Sequence, residues 1–236
     1  MKALLFDCDG VIVDTERDGH RIAFNLAFEK DGVPAVWDEG LYGELLRVAG
    51  GKERMKHFFD DHGWPERLTD RDESIRRLHL LKTDLFMKII AGGGLPLRPG
   101  VARLVDEALE ADIPVGVCST SNERAVNLVV NRMLGAERKS QMAFILAGDV
   151  VSRKKPDPEI YNLAAERLSL TPEACLVVED SRNGLLSAKR AGMKCLVTKS
   201  TYTGHEDFSE ADHVVDELGE PPGSFITLAQ LLELGL

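Results

Sequence analysis

Long apolar runs and excess positive charge are both missing from this chain of 236 residues. No apolar run approaches the roughly 20 residues that a membrane-spanning helix needs, so we expect no membrane partner. The formal net charge of −10 argues against an extended nucleic-acid surface, although local cations can still bind a phosphate. We find no signal or transit peptide before the first apolar run. This predicts a cytoplasmic protein, or one of the plastid stroma if a transit peptide has been removed.

Cysteine is scarce and scattered, because the chain has 4 cysteines and no C-x-x-C pair. All of them lie in or beside apolar, strand-like runs: Cys8, Cys118, Cys175 and Cys195. This pattern favours reduced core thiols in a reducing compartment over a disulfide framework or a zinc site. Because Cys8 stands between two aspartates, we also expect it to be sensitive to oxidation.

Two carboxylates follow the first apolar run, which extends from Ala3 to Phe6. Asp7 and Asp9 are separated by one residue, and Gly10 then lets the chain turn away. If the run is a buried strand, both acids lie at its carboxyl end. There they can share a hard cation and leave one oxygen for nucleophilic attack. The alternative is a polar strand-to-loop transition, since Asp and Gly are common turn residues.

Three further motifs carry polar side chains at predicted strand ends or in loops. Ser-Thr-Ser-Asn at 119–122 follows a strand-like run, and it predicts either an anion site or an ordinary helix cap. Lys155 precedes Pro156, where it can hold a phosphoryl group and a nucleophile together, or simply lie in a solvated loop. Glu179 and Asp180 end another buried-strand pattern, and this second acidic pair predicts the other half of a metal site.

These motifs, in this order, resemble the signature of the haloacid dehalogenase-like (HAD) phosphotransferases. The resemblance implies that Asp7 is a nucleophile that becomes an aspartyl phosphate. It implies that Asp9 is the general acid/base, which protonates the leaving alkoxide and then activates water. It further implies that Ser119 and Lys155 stabilise the transferred phosphate. Because a dehalogenase expels halide and needs no such acid, Asp9 argues for phosphoryl transfer.

The same resemblance implies a Mg²⁺ cofactor. Its expected ligands are the Asp7 carboxylate, the backbone carbonyl of Asp9, and the acidic pair Glu179 and Asp180. Both reactants are anionic, so placed positive charge and positioning are expected to lower most of the barrier.

The chain is predicted to form two domains. Segments 1–14 and 96–236 form the HAD core, and residues 15–95 form an inserted α-helical cap, in which apolar residues recur at helical spacing. From residue 100 onward, helix and strand patterns alternate, which predicts an α/β fold with a doubly wound, parallel, Rossmann-like sheet. The predicted strands after the first are 113–118, 143–147, 175–179, 194–198 and 213–215. The predicted helices of this region are 101–109, 123–134, 157–168, 183–191 and 228–234.

The cap is expected to choose the substrate. Glu16 and His20 are one helical turn apart, so His20 can hydrogen-bond the Asp9 carboxylate and Glu16 a sugar hydroxyl, or the two form a surface pair. The stretch 50–54 is glycine-rich and basic and is predicted at a helix start. Its amides and cations, from Gly51, Lys52 and Arg54, can bind a second phosphate. It lacks the spacing of a nucleotide-binding P-loop, so we predict no ATP site.

The cap motifs, together with 119–122, resemble the CbbY branch, which is similar to the β-phosphoglucomutases. The resemblance implies removal of phosphate from xylulose 1,5-bisphosphate, an inhibitor of Rubisco, with a phosphosugar as the only partner. We expect a monomer, since the cap must open and close over the site. It places Lys52 and Arg54 at the distal phosphate, and Ser121 and Asn122 near the substrate. Two alternatives stay open: a phosphosugar mutase or hexose-phosphate phosphatase, and a non-catalytic phosphosugar-binding protein.

Overall fold

The computed structural model describes all 236 residues, and they divide into two compact units. Unit 1 comprises Met1–Asp14 and Pro96–Leu236, and unit 2 comprises Thr15–Leu95. The chain therefore leaves unit 1 shortly after its first strand and returns to it at Pro96.

Unit 1 contains one six-stranded sheet in which every neighbouring pair of strands is parallel. The strands are β1 (Ala3–Phe6), β2 (Val115–Ser119), β3 (Phe144–Ala147), β4 (Cys175–Glu179), β5 (Lys194–Thr198) and β6 (His213–Val215). Their order across the sheet is β3-β2-β1-β4-β5-β6, so β1 lies between β2 and β4. This confirms the predicted fold class. It also brings the carboxyl ends of β1, β2 and β4 together at one edge of the sheet.

The helices account for about half of the remaining residues. In chain order they are α1 (Arg21–Asp31), α2 (Glu39–Leu45), α3 (Gly51–His62), α4 (Arg71–Ala91), α5 (Val101–Glu110), α6 (Glu123–Met133), α7 (Gly135–Gln141), α8 (Glu159–Leu168), α9 (Arg182–Arg190) and α10 (Leu228–Glu233). None of them is long and apolar enough to cross a membrane.

Burial explains why the sheet forms where the apolar runs lie. Every residue of β1, β2 and β4 is buried, as expected for parallel strands that are covered on both faces. Helices α8 and α9 contribute apolar residues to the same core as β1 and β4: Ile160, Tyr161, Leu185, Ala188, Leu5 and Val177. The centre of the sheet is therefore a rigid support for the residues that follow each strand.

Unit 2 contains helices α1 to α4 and no strand. Its core is aromatic, with Phe24, Phe28 and Trp37 in mutual ring contact at centroid separations of 4.6 to 6.2 Å. Residues Glu16–His20 form a single π-helical turn before α1, rather than the ordinary helical turn that the sequence suggested.

The four cysteines are buried and unpaired, as predicted. The expected sensitivity of Cys8 to oxidation does not fit its surroundings. Cys8 is 0% exposed, and burial, together with the charges of Asp9 and Asp7, raises the pKa of its thiol well above the ordinary value. A buried thiol that stays protonated is a poor nucleophile toward oxidants.

Candidate active site

The carboxyl end of β1 places Asp7 at the centre of the sheet edge. The amide of Asp7 donates to the Val178 carbonyl at 3.0 Å, so the residue is still held by the neighbouring strand β4. The residue is only 8% exposed. Three residues after Asp7, Gly10 turns the chain with a φ of +81°. A Cβ on Gly10 would lie 2.0 Å from Oδ2 of Asp180, so only glycine lets this turn approach the second acidic pair.

Lys155 joins three of the strands through one ammonium group. Its Nζ lies 2.7 Å from Oδ1 of Asp7, 2.5 Å from Oε1 of Glu179 and 2.9 Å from the carbonyl oxygen of Cys118. Burial lowers the pKa of Lys155, but the charges of Asp7 and Glu179 outweigh this and raise it above its ordinary value. Lys155 is therefore a permanent buried cation beside the proposed nucleophile, and not a solvated loop residue.

Glu179 is held from two sides. Its Oε1 also accepts a hydrogen bond from the hydroxyl of Tyr161 on α8, and its Oε2 accepts one from the Asp180 amide at 3.2 Å. A Cβ on Gly184 would lie 1.9 Å from Oε2, so the start of α9 also depends on glycine to admit this carboxylate. Sequence reasoning missed Tyr161, because its apolar helical spacing marked it only as a core residue.

The site carries more negative than positive charge. Carboxylate oxygens of Asp7, Glu179 and Asp180 lie within 4.8 Å of one another, and all three residues are buried. Burial raises the pKa of Asp7 from its ordinary 3.8 to about 8. Lys155 opposes that shift, whereas the charges of Glu179 and Asp9 add to it. The cluster therefore favours a second cation.

The donor set fits a hard divalent cation such as Mg²⁺, which prefers carboxylate and carbonyl oxygens. Since Lys155 and Tyr161 occupy Oε1 of Glu179, Asp7 and Asp180 are the residues best placed to hold the ion directly. Glu179 lies in the same cluster, and its main contacts are with Lys155 and Tyr161.

The end of β2 supplies two serines. Ser119 is buried, and its Oγ accepts a hydrogen bond from the Ser121 amide at 3.2 Å. The hydroxyl of Ser121 donates to Oδ2 of Asp9, which ties β2 to the proposed acid/base. The sequence suggested Ser121 only as a substrate contact. The spacing Ser-x-Ser carries no signal for this bond, because it depends on the parallel pairing of β1 with β2.

Asn122 caps helix α6. Its Oδ1 accepts from the amides of Arg124 and Ala125 at 3.1 and 3.4 Å. The helix-cap interpretation of motif 119–122 is therefore correct for Asn122, and its side-chain amide nitrogen is the group left to contact a substrate.

Within unit 2, Glu16 belongs to a polar network. The Tyr42 hydroxyl donates to Oε2 of Glu16, and Arg54 donates to the Tyr42 oxygen at 2.9 Å. Arg54 is buried and also donates to the carbonyls of Leu45 and Val48 at 3.2 and 3.3 Å. Tyr42 was not predicted from sequence, because it lies 26 residues from Glu16 and no local spacing connects them.

His20 has a buried cation beside it. Nζ of Lys82 lies 2.8 Å from Nδ1 of His20, over the rings of Phe24 and Phe86. Because an ammonium group can only donate, Nδ1 accepts and Nε2 of His20 carries the proton. Lys82 was also missed, since it lies 62 residues along the chain.

Gly51 and Lys52 occupy the first turn of α3, as predicted. A Cβ on Gly51 would lie 3.1 Å from Nε2 of His79 and 3.2 Å from the ring of Phe24, so this end of the helix is tightly packed. Lys52 is half-buried, whereas Arg54 is buried.

Comparisons with known proteins agree on one relationship. The family model for haloacid dehalogenase-like hydrolases matches residues 1–192. A CBBY-like protein of Arabidopsis thaliana is 57% identical over 231 residues, covering 96% of this chain and 72% of the relative. The putative phosphatase YhcW of Bacillus subtilis is 30% identical over 220 residues, covering 93% of each chain.

The solved structures give the same result. CbbY from Rhodobacter sphaeroides in complex with phosphate is 40% identical, with a TM-score of 0.89 and coverage of 98% of this chain and 99% of that one. A substituted form of the same protein, solved in complex with xylulose-(1,5)bisphosphate, is 39% identical with the same TM-score of 0.89 and the same coverage, 98% and 99%.

Proposed function

The chain belongs to the haloacid dehalogenase-like hydrolases, in their CbbY and β-phosphoglucomutase-like branch, and is an enzyme of the phosphatase class; from this premise we propose that it is a Mg²⁺-dependent phosphatase of sugar bisphosphates. The substrate we propose is xylulose 1,5-bisphosphate, and the intermediate is an aspartyl phosphate on Asp7. The observation that carries the proposal is the buried Asp7, with one carboxylate oxygen 2.7 Å from Lys155 at the carboxyl end of the central strand.

The first half of the reaction transfers the phosphoryl group to the protein. A carboxylate oxygen of Asp7 attacks phosphorus, the bond from phosphorus to the sugar oxygen breaks, and Asp9 gives its proton to the leaving alkoxide. The Ser121 hydroxyl holds the Asp9 side chain. Lys155 and Ser119 stabilise the charge on the transferred group.

The second half regenerates the enzyme. Asp9, now a carboxylate, takes a proton from water, the water oxygen attacks phosphorus, and the bond to Asp7 breaks to release phosphate. Bound Mg²⁺ would supply charge neutralisation between the two anions. Its protein ligands would be Asp7, Asp180 and the carbonyl of Asp9, with Glu179 at the same cluster.

The residues of unit 2 provide the proposed substrate selectivity. His20 presents Nε2–H as a donor because Lys82 occupies Nδ1, and Glu16 offers a carboxylate held by Tyr42. Arg54 is largely engaged in that network, so we assign the distal phosphate mainly to Lys52 and the amides around Gly51. From unit 1, Ser121 and Asn122 complete the proposed substrate contacts. CbbY from R. sphaeroides has been solved with xylulose-(1,5)bisphosphate, which supports the choice of substrate.

The proposal also covers the surroundings of the enzyme. A net charge of −10 argues against nucleic acid as a partner, and it does not prevent local lysines and arginines from binding a small phosphosugar, the only partner that we propose. We propose a monomer that acts in the cytoplasm or, after removal of a transit peptide, in the plastid stroma.

The decisive experiment measures Mg²⁺-dependent phosphate release from a panel containing xylulose 1,5-bisphosphate, ribulose 1,5-bisphosphate and glucose phosphates. We expect the highest kcat/KM for xylulose 1,5-bisphosphate, and no release after chelation with EDTA. A hexose phosphate that reacts best would overturn the substrate. An isomeric phosphate formed without free phosphate would identify a mutase.

The same panel tests the distal-phosphate site. Lys52→Ala should weaken turnover of the bisphosphate by about tenfold or more and spare a monophosphate, since only the former has a second phosphate to bind. The matched control is Lys56→Ala, one turn further along α3, where the lysine is exposed and faces Asp72 at 3.9 Å. Equal losses on both substrates would exclude this role for Lys52.

A further inference from the structure

Arg98 joins three separate segments of unit 1 at the edge of the sheet that carries the active site. Its guanidinium donates to the carbonyl of Gly10 in the turn after β1. It also donates to the carbonyls of Thr198, the last residue of β5, and of Lys199, and at 3.1 Å to that of Asp216 after β6. No sequence motif singled out this residue, and none of the roles assigned above uses it.

The backbone of Arg98 holds the same turn. Its amide donates to the Ile12 carbonyl at 2.9 Å, so both the main chain and the side chain bind segment 8–13. Within that segment, Gly10 follows Asp9 directly and its Cα packs against the carboxylate of Asp180. The orientation of the peptide after Asp9 therefore depends on the hydrogen bonds from Arg98 to Gly10 and Ile12.

The chemistry of the side chain suits this task better than any substitute. The guanidinium is a planar fork with five donors, so it can serve several carbonyls in different directions, whereas an ammonium group has three donors at one point. Burial lowers the pKa of Arg98, and the charges of Asp180, Asp14 and Glu217 oppose that shift. The group stays charged, and it donates hydrogen bonds to neutral carbonyls.

The loop after β5 is tied a second time to the place where the chain leaves unit 1. Oδ2 of Asp14 accepts from the amide of Thr201 at 2.9 Å and from its hydroxyl. Loop 198–201 is thus connected to segment 8–14 at two places, through Arg98 at Gly10 and directly at Asp14.

We propose that Arg98 is a positioning residue for phosphoryl transfer, which aims Asp9 by locking the 8–13 turn onto the loops that follow β5 and β6. The inference rests on the proposed function only in giving Asp9 the role of acid/base. It predicts that losing the guanidinium lowers kcat while KM changes little, because Asp9 acts on the leaving oxygen rather than in substrate binding.

The test compares Arg98→Met and Arg98→Lys with Arg103→Met. Arg103 is a matched control, since it too donates to backbone carbonyls, those of Leu218 and Gly219 at 3.3 and 2.8 Å, in the same unit. We expect kcat to fall by up to about a hundredfold in both Arg98 variants, the loss that a misplaced group commonly causes. Arg103→Met should keep kcat within about twofold, even with an equal loss of thermal stability.

A second readout is independent of the chemistry. Hydrogen exchange of the peptide covering residues 8–13 should accelerate in the Arg98 variants and stay unchanged in Arg103→Met. Full kcat in folded Arg98→Lys, or equal exchange in all variants, would overturn the inference. If the Arg98 results hold but Asp7→Asn still turns over, the proposed mechanism fails and the structural role of Arg98 stands.

Discussion

At the scale of single residues, Lys155 is the cation that balances the negative charges of the active site. It lies between Asp7 and Glu179, and Tyr161 shares the same oxygen of Glu179. Because Tyr161 also donates to Glu179, the negative charge of that carboxylate is shared between Tyr161 and Lys155. Lys155 therefore stays in contact with Asp7 as well. The sequence indicated Lys155, Asp7 and Glu179 through their motifs, but it could not indicate Tyr161, whose partner comes from a different strand.

Replacing Asp7 with Asn tests the nucleophile. Asn cannot form the acyl phosphate, so phosphate release should fall by at least about a thousandfold. Because burial raises the pKa of Asp7 to about 8, ionising this carboxyl costs the folded protein free energy near pH 7, so the melting temperature without Mg²⁺ should equal or exceed that of the wild type. Asp216→Asn, which alters an 87% exposed side chain, should leave both quantities unchanged. Turnover by a clean Asp7→Asn preparation would remove Asp7 from the mechanism.

Gly184 tests how tightly Glu179 is confined. A Cβ there would lie 1.9 Å from Oε2 of a carboxylate that Lys155 and Tyr161 prevent from moving away. Gly184→Ala should therefore cost about 3 kcal/mol of unfolding free energy and most of the activity. The control is Gly204→Ala, where a Cβ meets nothing within 4 Å. Urea unfolding measures both, and an unchanged Gly184→Ala would show that Glu179 can relocate.

At the scale of secondary-structure elements, predictability follows the strength of the apolar pattern. Strands β1, β4 and β5 have the predicted bounds, because each is a short apolar run limited by polar residues. Helix α7 was not predicted, since Gly135–Gln141 contains no buried residue and therefore no apolar spacing. The π-helical turn at Glu16–His20 also could not be predicted from the sequence, because the extra residue in such a turn has no characteristic amino-acid composition.

The loop before α8 offers a pH-dependent test at this scale. Glu159 accepts hydrogen bonds from the amides of Ser152 and Arg153 at 3.0 and 2.9 Å, and these bonds lower its pKa from the ordinary 4.5 to about 2. A lowered folded-state pKa stabilises the protein above pH 4.5. That contribution is lost as pH falls from 4.5 toward 2.

Glu159→Gln should therefore be less stable than the wild type at pH 7, and the gap should narrow as pH falls below 4.5. Thermal melting at pH 7, 5 and 4 measures the gap. Glu166→Gln, an exposed glutamate on the same helix, should show no such trend. A gap that widens toward low pH would contradict the assignment of these hydrogen bonds.

At the scale of the whole molecule, the sequence predicted which strand ends meet but not which distant side chains support them. The parallel order of the sheet follows from alternating patterns, and it brings Asp7, Ser119 and Asp180 to one edge. The residues that support the site contact partners far along the chain: 26 residues away for Tyr42, 62 for Lys82 and 88 for Arg98. Such pairs depend on packing between elements, and a single sequence holds no local signal for them.

The charge balance of the folded molecule gives the last prediction. Asp7, Glu179 and Asp180 lie together in a buried cluster, with Lys155 paired to two of them, so the native state should bind Mg²⁺ far better than the unfolded chain does. Ligand at a hundred times its Kd stabilises by about 2.7 kcal/mol, which for a protein of this size raises Tm by roughly 5–10 °C.

Asp180→Asn should separate this effect from general salt stabilisation. With Mg²⁺ it should gain less than about 2 °C, since a ligand of the ion has been removed. Asp216→Asn should retain the full shift. If Asp180→Asn kept the wild-type response to Mg²⁺, the ion would bind elsewhere, and the buried acidic cluster would owe its stability to Lys155 alone.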